Sequence, residues 1–191
     1  MASAAPVAHI GAAPAMRRLY FTRFAFAAAW AALLLASGSG LGLGAKLLLI
    51  VYPAFDVAAA VVDARSARAT GPVKGLYANM AVSALAAVGV AVASTSGVAD
   101  VLRVWGAWAV VSGLVQLIVG VARRPMGGQW AMILSGAISV LAGGSFIRGA
   151  SQTDPSLTAL AGYAALGGIF FLVSAIRLSR TASAGADTSE A

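Results

Sequence analysis

The chain has 191 residues, 60% of them hydrophobic and 10% charged, with a mean hydropathy of +0.89. A soluble domain carries about a quarter of its residues as Asp, Glu, Lys or Arg, so there is too little charge here to coat a globule in water, and the chain belongs in a bilayer. The absence of cysteine excludes disulfide frameworks, thiolate metal sites and a cysteine nucleophile. The formal charge of +7 is spread in twos and threes between apolar runs, a spacing that reads as membrane topology and not as a nucleic-acid surface.

In chain order, residues 1–16 are rich in Ala and Pro without an apolar face and predict a disordered tail. Six apolar stretches follow, at about 19–37, 41–63, 76–95, 100–122, 129–147 and 157–178, each near the roughly 20 residues a spanning helix needs. Residues 181–191 are small and polar and predict a second disordered tail. Turn signals separate the stretches, among them Ser37-Gly38-Ser39-Gly40, Gly71-Pro72, Pro125 and Pro155. The expected fold is an all-α transmembrane domain of six helices over residues 17–180.

Ten of the thirteen Lys and Arg residues fall at the N-terminus, in the second and fourth loops and at the C-terminus. Lys46, Arg103 and Arg148 fall toward the other side, where they can snorkel to headgroups as anchors. The positive-inside rule then places both termini in the cytoplasm. A competing reading takes Arg17, Arg18, the first apolar run and Ala36-Ser37-Gly38 as a cleaved signal peptide. An internal repeat argues against it. Shifted by 53 positions, Pro72, Gly75, Tyr77, Ala78 and Ala84 fall on Pro125, Gly128, Trp130, Ala131 and Ala137, and Tyr52 and Phe55 fall on Trp105 and Trp108. This is the signature of three copies of one helical hairpin, and it needs the first stretch as a partner.

Lipid tails give no hydrophobic drive between helices, so small residues that admit close backbone approach do much of the packing. Gly106, Gly113 and Gly120 recur every seven residues in the fourth stretch, as do Gly136 and Gly143 in the fifth. A seven-residue step keeps one narrow face on a partner, so these two stretches are expected to pack antiparallel along their glycines. Gln116 is expected to act as an interhelical hydrogen bond. Trp105, Trp108, Tyr77, Trp130, Tyr20 and Trp30 lie mostly near helix ends and read as an interfacial aromatic belt.

The second stretch holds most of the ionisable residues within the apolar segments: Lys46, Asp56 and Asp63. Asp56 lies about 12 Å from the cytoplasmic end of its helix at 1.5 Å per residue, where a carboxylate costs roughly 2.5–3.5 kcal/mol on insertion scales. Three residues earlier, Pro53 cannot donate its backbone bond, which frees the carbonyl of Leu49 and favours a kink. Tyr52, Asp56 and Asp63 share one side of the helix because steps of four and seven return to nearly the same face. Two readings follow. Asp56 pairs with Arg23 of the first helix or Asn79 of the third and fixes how those helices meet, with Asp63 held by Arg65, Arg68 or water. Alternatively, carboxylate, kink and free carbonyl make a protonatable or cation-binding site. The lone histidine, His9, lies in the tail, so no His-based triad or metal cluster can form with the core, and neither metal nor cofactor is expected.

The segment from Arg103 to Ile147 resembles the repeat of the HdeD-like family of small bacterial acid-resistance membrane proteins. The residues that carry the resemblance are Gly106, Trp108, Gly113, Gln116, the basic turn Arg123-Arg124, Trp130 and the small pair Ser135-Gly136. The final segment from Gly162 looks like a further copy with Phe171 in the place of the glutamine, while the segment around Pro53, Asp56 and Asp63 departs from the pattern. The resemblance implies a six-helix bacterial inner-membrane protein linked to acid or general stress, without enzyme chemistry. The preferred reading is thus a non-enzymatic, multi-pass plasma-membrane protein acting in stress tolerance or membrane homeostasis, through a homo-oligomer or a partner and with the lipid bilayer as its main contact. The alternative is a small proton-coupled or ion-conducting transporter that titrates Asp56 at the Pro53 kink.

Overall fold

The computed structural model describes residues 12–38, 40–67, 74–122, 124–126 and 129–187. These form six α-helices: α1 (Ala12–Ala36), α2 (Leu43–Ala67), α3 (Lys74–Ala93), α4 (Val98–Ala122), α5 (Trp130–Gly149) and α6 (Thr158–Asp187), with a 3-10 turn at Arg124–Met126 between α4 and α5. Each helix contains 19 to 25 consecutive residues apolar enough to cross a membrane, and no strand occurs among the described residues.

Helix ends inside the chain differ from the sequence expectation by up to four residues, α2 running on to Ala67, and the two outer ends differ by more. Residues 12–16 belong to α1 and residues 181–187 to α6, so these parts of the expected tails are helical. Both pieces continue a spanning helix beyond its apolar stretch, and alanine, the strongest helix former, recurs in both. The rest of the expected tails, with His9, lies outside the described residues, as does Arg68.

The turns are built by local chemistry. Gly38 ends α1 with a φ of +75°, the left-handed conformation that caps helix C-termini. Gly97, at φ +141°, joins α3 to α4 and takes the carbonyl of Ala93 through its N–H at 3.2 Å. Arg103 donates to the carboxylate of Asp100 one turn away, and both side chains are exposed.

The closest helix pairs are α4 with α5, α1 with α6, and α2 with α3; α5 and α6, although consecutive, touch little. At the α4–α5 contact the two backbones come together at the glycines. A Cβ placed on Gly143 would lie 2.5 Å from the carbonyl oxygen of Gly106, and one on Gly106 would lie 2.6 Å from that of Gly143. Gly113 and Gly136 face each other in the same way at 2.7 and 2.8 Å, and Gly120 abuts Ile133. Gly168 of α6 sits against Ala27 of α1, with 3.3 Å from a would-be Cβ.

The close-packed apolar core gathers toward the end where α1 finishes and α2 begins. Leu34, Leu49, Val90, Val101, Leu102, Phe146 and Leu160 meet there, all buried. The other half of the bundle carries Arg23, Asp56, Asp63, Asn79 and Gln116. Large apolar side chains such as Leu43, Leu85, Ile118 and Leu141 cover the outside, as expected for a surface in contact with acyl chains.

Substituting Gly143→Ala must push α4 and α5 apart, and overpacking of this kind costs roughly 1–3 kcal/mol. Gly144→Ala meets nothing within 4 Å and is expected to hold or slightly raise stability. Thermal unfolding of the two variants in bicelles checks this; equal melting temperatures would contradict the glycine contact.

Candidate functional site

Asp56 stands in the middle of α2 and its carboxylate is shared by three helices. Arg23 Nη2 of α1 donates to Oδ1 at 2.9 Å, forming an ion pair. Asn79 Nδ2 and Ser83 Oγ of α3 both donate to Oδ2, at 2.7 and 2.8 Å. Asn79 and Ser83 are four residues apart, so one face of α3 presents both donors. Trp108 Nε1 of α4 donates in turn to Ser83 Oγ at 3.1 Å, and the Arg23 guanidinium lies 4.8 Å from the ring centre of Phe171 in α6. Five helices therefore converge on one carboxylate.

The side chains of Arg23 and Asp56 are 13% and 23% exposed, so the pair is mostly withdrawn from its surroundings. Withdrawn charge is tolerated when it is paired and its remaining lone pairs are satisfied. Arg23 supplies the countercharge, while Asn79 and Ser83 supply the neutral donors. Both partners named from the sequence, Arg23 and Asn79, are at the carboxylate. Ser83 and Trp108 were missed as members of the cluster. The four-residue step from Asn79 was the one signal for Ser83; the Trp108 link depends on how α4 lies against α3, which no local pattern states.

Below this node lies an aromatic cluster. Trp30, Tyr52, Trp105 and Trp108 stack or meet edge to face with ring centres 4.7 to 6.1 Å apart, and Phe26 stacks on Phe55 at 3.8 Å. Trp30 and Trp105 are 2% and 0% exposed, which corrects the reading of these residues as an interfacial belt. Both lie within two turns of a helix end, but their faces point inward, and large aromatic area is most valuable in a packed interior. Trp130 and Tyr77 do lie on the outside, and Tyr20 of α1 stacks on Phe171 of α6.

Helix α2 runs as one α-helix across the buried Pro53. Near this point Trp30 Nε1 donates to the carbonyl of Leu48 at 2.6 Å, so the captured carbonyl is one residue from that of Leu49. Tyr52 is absorbed into the aromatic cluster. Asp63, two turns beyond Asp56, is close enough to Arg23 and Tyr20 for electrostatic interaction, yet among the described residues no ion pair reaches it, and Arg65 is exposed. Gln116 does not provide the expected interhelical bond: its Oε1 is buried without a partner, and its Cβ packs beside Gly136. The contact with the facing helix is made by the small residues next to it, which leaves the amide oxygen no donor.

Among the described residues no three of His, Asp and Glu come together as metal ligands. Two clefts lie away from Asp56, one between α5 and α6 and one beside Val121, Arg124 and Pro125. The arrangement at Asp56 is thus a satisfied ion pair with two neutral donors, suited to hold helices in register. No family model matches the chain, and comparison with curated proteins and with solved structures finds none that is similar.

Removing one partner leaves the other charge buried and uncompensated, a loss of about 3–5 kcal/mol, so Asp56→Ala is expected to lower the melting temperature strongly. The double variant Arg23→Met with Asp56→Leu removes both charges and is expected to recover much of that loss. Ser83→Ala removes one neutral donor and is expected to cost about 1 kcal/mol. Unfolding in bicelles measures all three; an unaltered melting temperature in Asp56→Ala would contradict the cluster's structural role.

Proposed function

We propose that the chain is a non-enzymatic integral protein of a bacterial plasma membrane, of the HdeD-like kind, that acts in acid or stress tolerance through self-association or a membrane partner. The single observation that carries the non-transporting reading is the carboxylate of Asp56, which is occupied by Arg23, Asn79 and Ser83. A transport carboxylate must exchange its partners with the cargo. This one is committed on both oxygens to three neighbouring side chains that also tie the bundle together.

In this proposal the bundle consists of three hairpin copies with both termini in the cytoplasm. Support for the copies comes from the 53-residue match and from the three close helix pairs, α2 with α3, α4 with α5, and α6 with α1. The last pair joins the two ends of the chain, so a third copy would be completed by α6 and α1 together. Support for the orientation is the ten-to-three division of Lys and Arg. The resemblance of residues 103–147 to the HdeD-like repeat supplies the link to acid stress, and the outward-facing apolar surface supplies the means of meeting lipid or a second membrane protein.

The test is survival. Bacterial cells producing the chain are expected to outlive cells producing none after a shift to strongly acidic medium, and to do so equally well with Gly144→Ala and poorly with Gly143→Ala. Identical survival with and without the chain, at matched membrane levels of the protein, would overturn the assignment.

A further inference from the structure

The seam between α5 and α6 contains a small, partly open cleft of about 30 Å³, lined by Ser135, Ser139, Tyr163 and Gly167 with apolar Ile138 and Phe170. Across it Ser139 Oγ and Tyr163 Oη lie 2.8 Å apart. Two hydroxyls bring two hydrogens, and the bond between them uses one. Whichever group donates, the acceptor keeps a free O–H. Ser139 is 5% exposed and stands near the middle of α5, about 14 Å from its Trp130 end at 1.5 Å per residue. At that depth hydrocarbon offers no acceptor. Ser135, one turn away on the same helix, brings a third hydroxyl to the same cleft.

Volume and chemistry meet here. A water molecule needs about 10–15 Å³ of such space and two to four polar partners. An acyl chain could fill the space but would leave the hydroxyl hydrogen without an acceptor. We propose that the α5–α6 seam holds water, with room for about two molecules, bonded by the Ser139–Tyr163 pair and by Ser135 as a hydration site inside the apolar span. The site explains how two consecutive helices that barely touch carry hydroxyls into their shared seam. It does not depend on the functional proposal above or on the Asp56 cluster.

Gly167 provides a clean perturbation. Gly167 lines the cleft and a Cβ there meets nothing within 4 Å, so Gly167→Ala adds a methyl group at the cleft wall without displacing protein atoms. Gly162→Ala, likewise free of neighbours and one to two turns earlier on α6, serves as a control. The experiment is solid-state NMR polarisation transfer from water to ring-labelled tyrosine in proteoliposomes, with Tyr163→Phe identifying the Tyr163 signal. Expected is transfer from water to Tyr163 that loses more than half its intensity in Gly167→Ala and is unchanged in Gly162→Ala. Transfer to Tyr163 from lipid methylenes in place of water would overturn the proposal, and so would water transfer that Gly167→Ala leaves intact.

Discussion

A charged carboxylate in the apolar span of a membrane protein is tolerated where a countercharge and hydrogen-bond donors meet its oxygens, and at Asp56 those partners come from two neighbouring helices and tie the bundle together. Only a specific arrangement of helices delivers Arg23 to one oxygen and Asn79 with Ser83 to the other. Rotating α1 or α3 by one position on its axis would remove a donor and strand a charge. A buried ion pair is weak evidence for net stability, since an apolar pair of similar volume is often as good or better. Its effect in this chain is on which faces meet: the pair and its neutral donors fix α1, α2 and α3 directly, and reach α4 through Trp108 and α6 through Phe171.

The other contacts are made by shape. With no hydrophobic drive between helices in lipid, dispersion across closely approaching backbones has to do the work, and the glycines of α4 and α5 allow an approach that any side chain would prevent. The bundle thus divides its labour. One half holds charged and amide groups in an ordered cluster, the opposite half packs Leu, Val and Phe densely, and the aromatic group of Trp30, Tyr52, Trp105 and Trp108 lies between them. The close α4–α5 pair and the sparse α5–α6 seam are the extremes of the same principle, small residues facing each other in the first case and hydroxyls facing each other in the second.

Much of this was legible in the sequence because it depends on local composition or on fixed steps along a helix. Hydropathy located six spans, and the seven-residue glycine step marked the faces on which α4 and α5 meet. The isolation of Asp56 in an apolar run pointed to Arg23 and Asn79, since few other polar groups lie at that depth. What escaped depends on how helices lie beside one another. Ser83 carries no charge and looks like any small residue of a membrane helix. Trp30 and Trp105 sit at the distance from helix ends where interfacial tryptophans occur, and only the direction of their faces buries them. The polarity of Gln116 suggests a hydrogen bond between helices, but the contact beside it belongs to Gly113 and Gly136. The helical residues 12–16 and 181–187 continue α1 and α6 beyond their apolar stretches, which a search for apolar spans does not follow.

In the proposed function Asp56 pins helices and does not carry cargo. The most direct measurement is proton flux into liposomes containing the purified chain, wild type beside Asp56→Asn, from neutral to acidic external pH, with the unfolding temperature of each recorded in parallel. No flux above empty liposomes is expected in either protein, with a lower unfolding temperature in the variant. Flux in the wild type that vanishes in Asp56→Asn, at an unchanged unfolding temperature, would contradict that role.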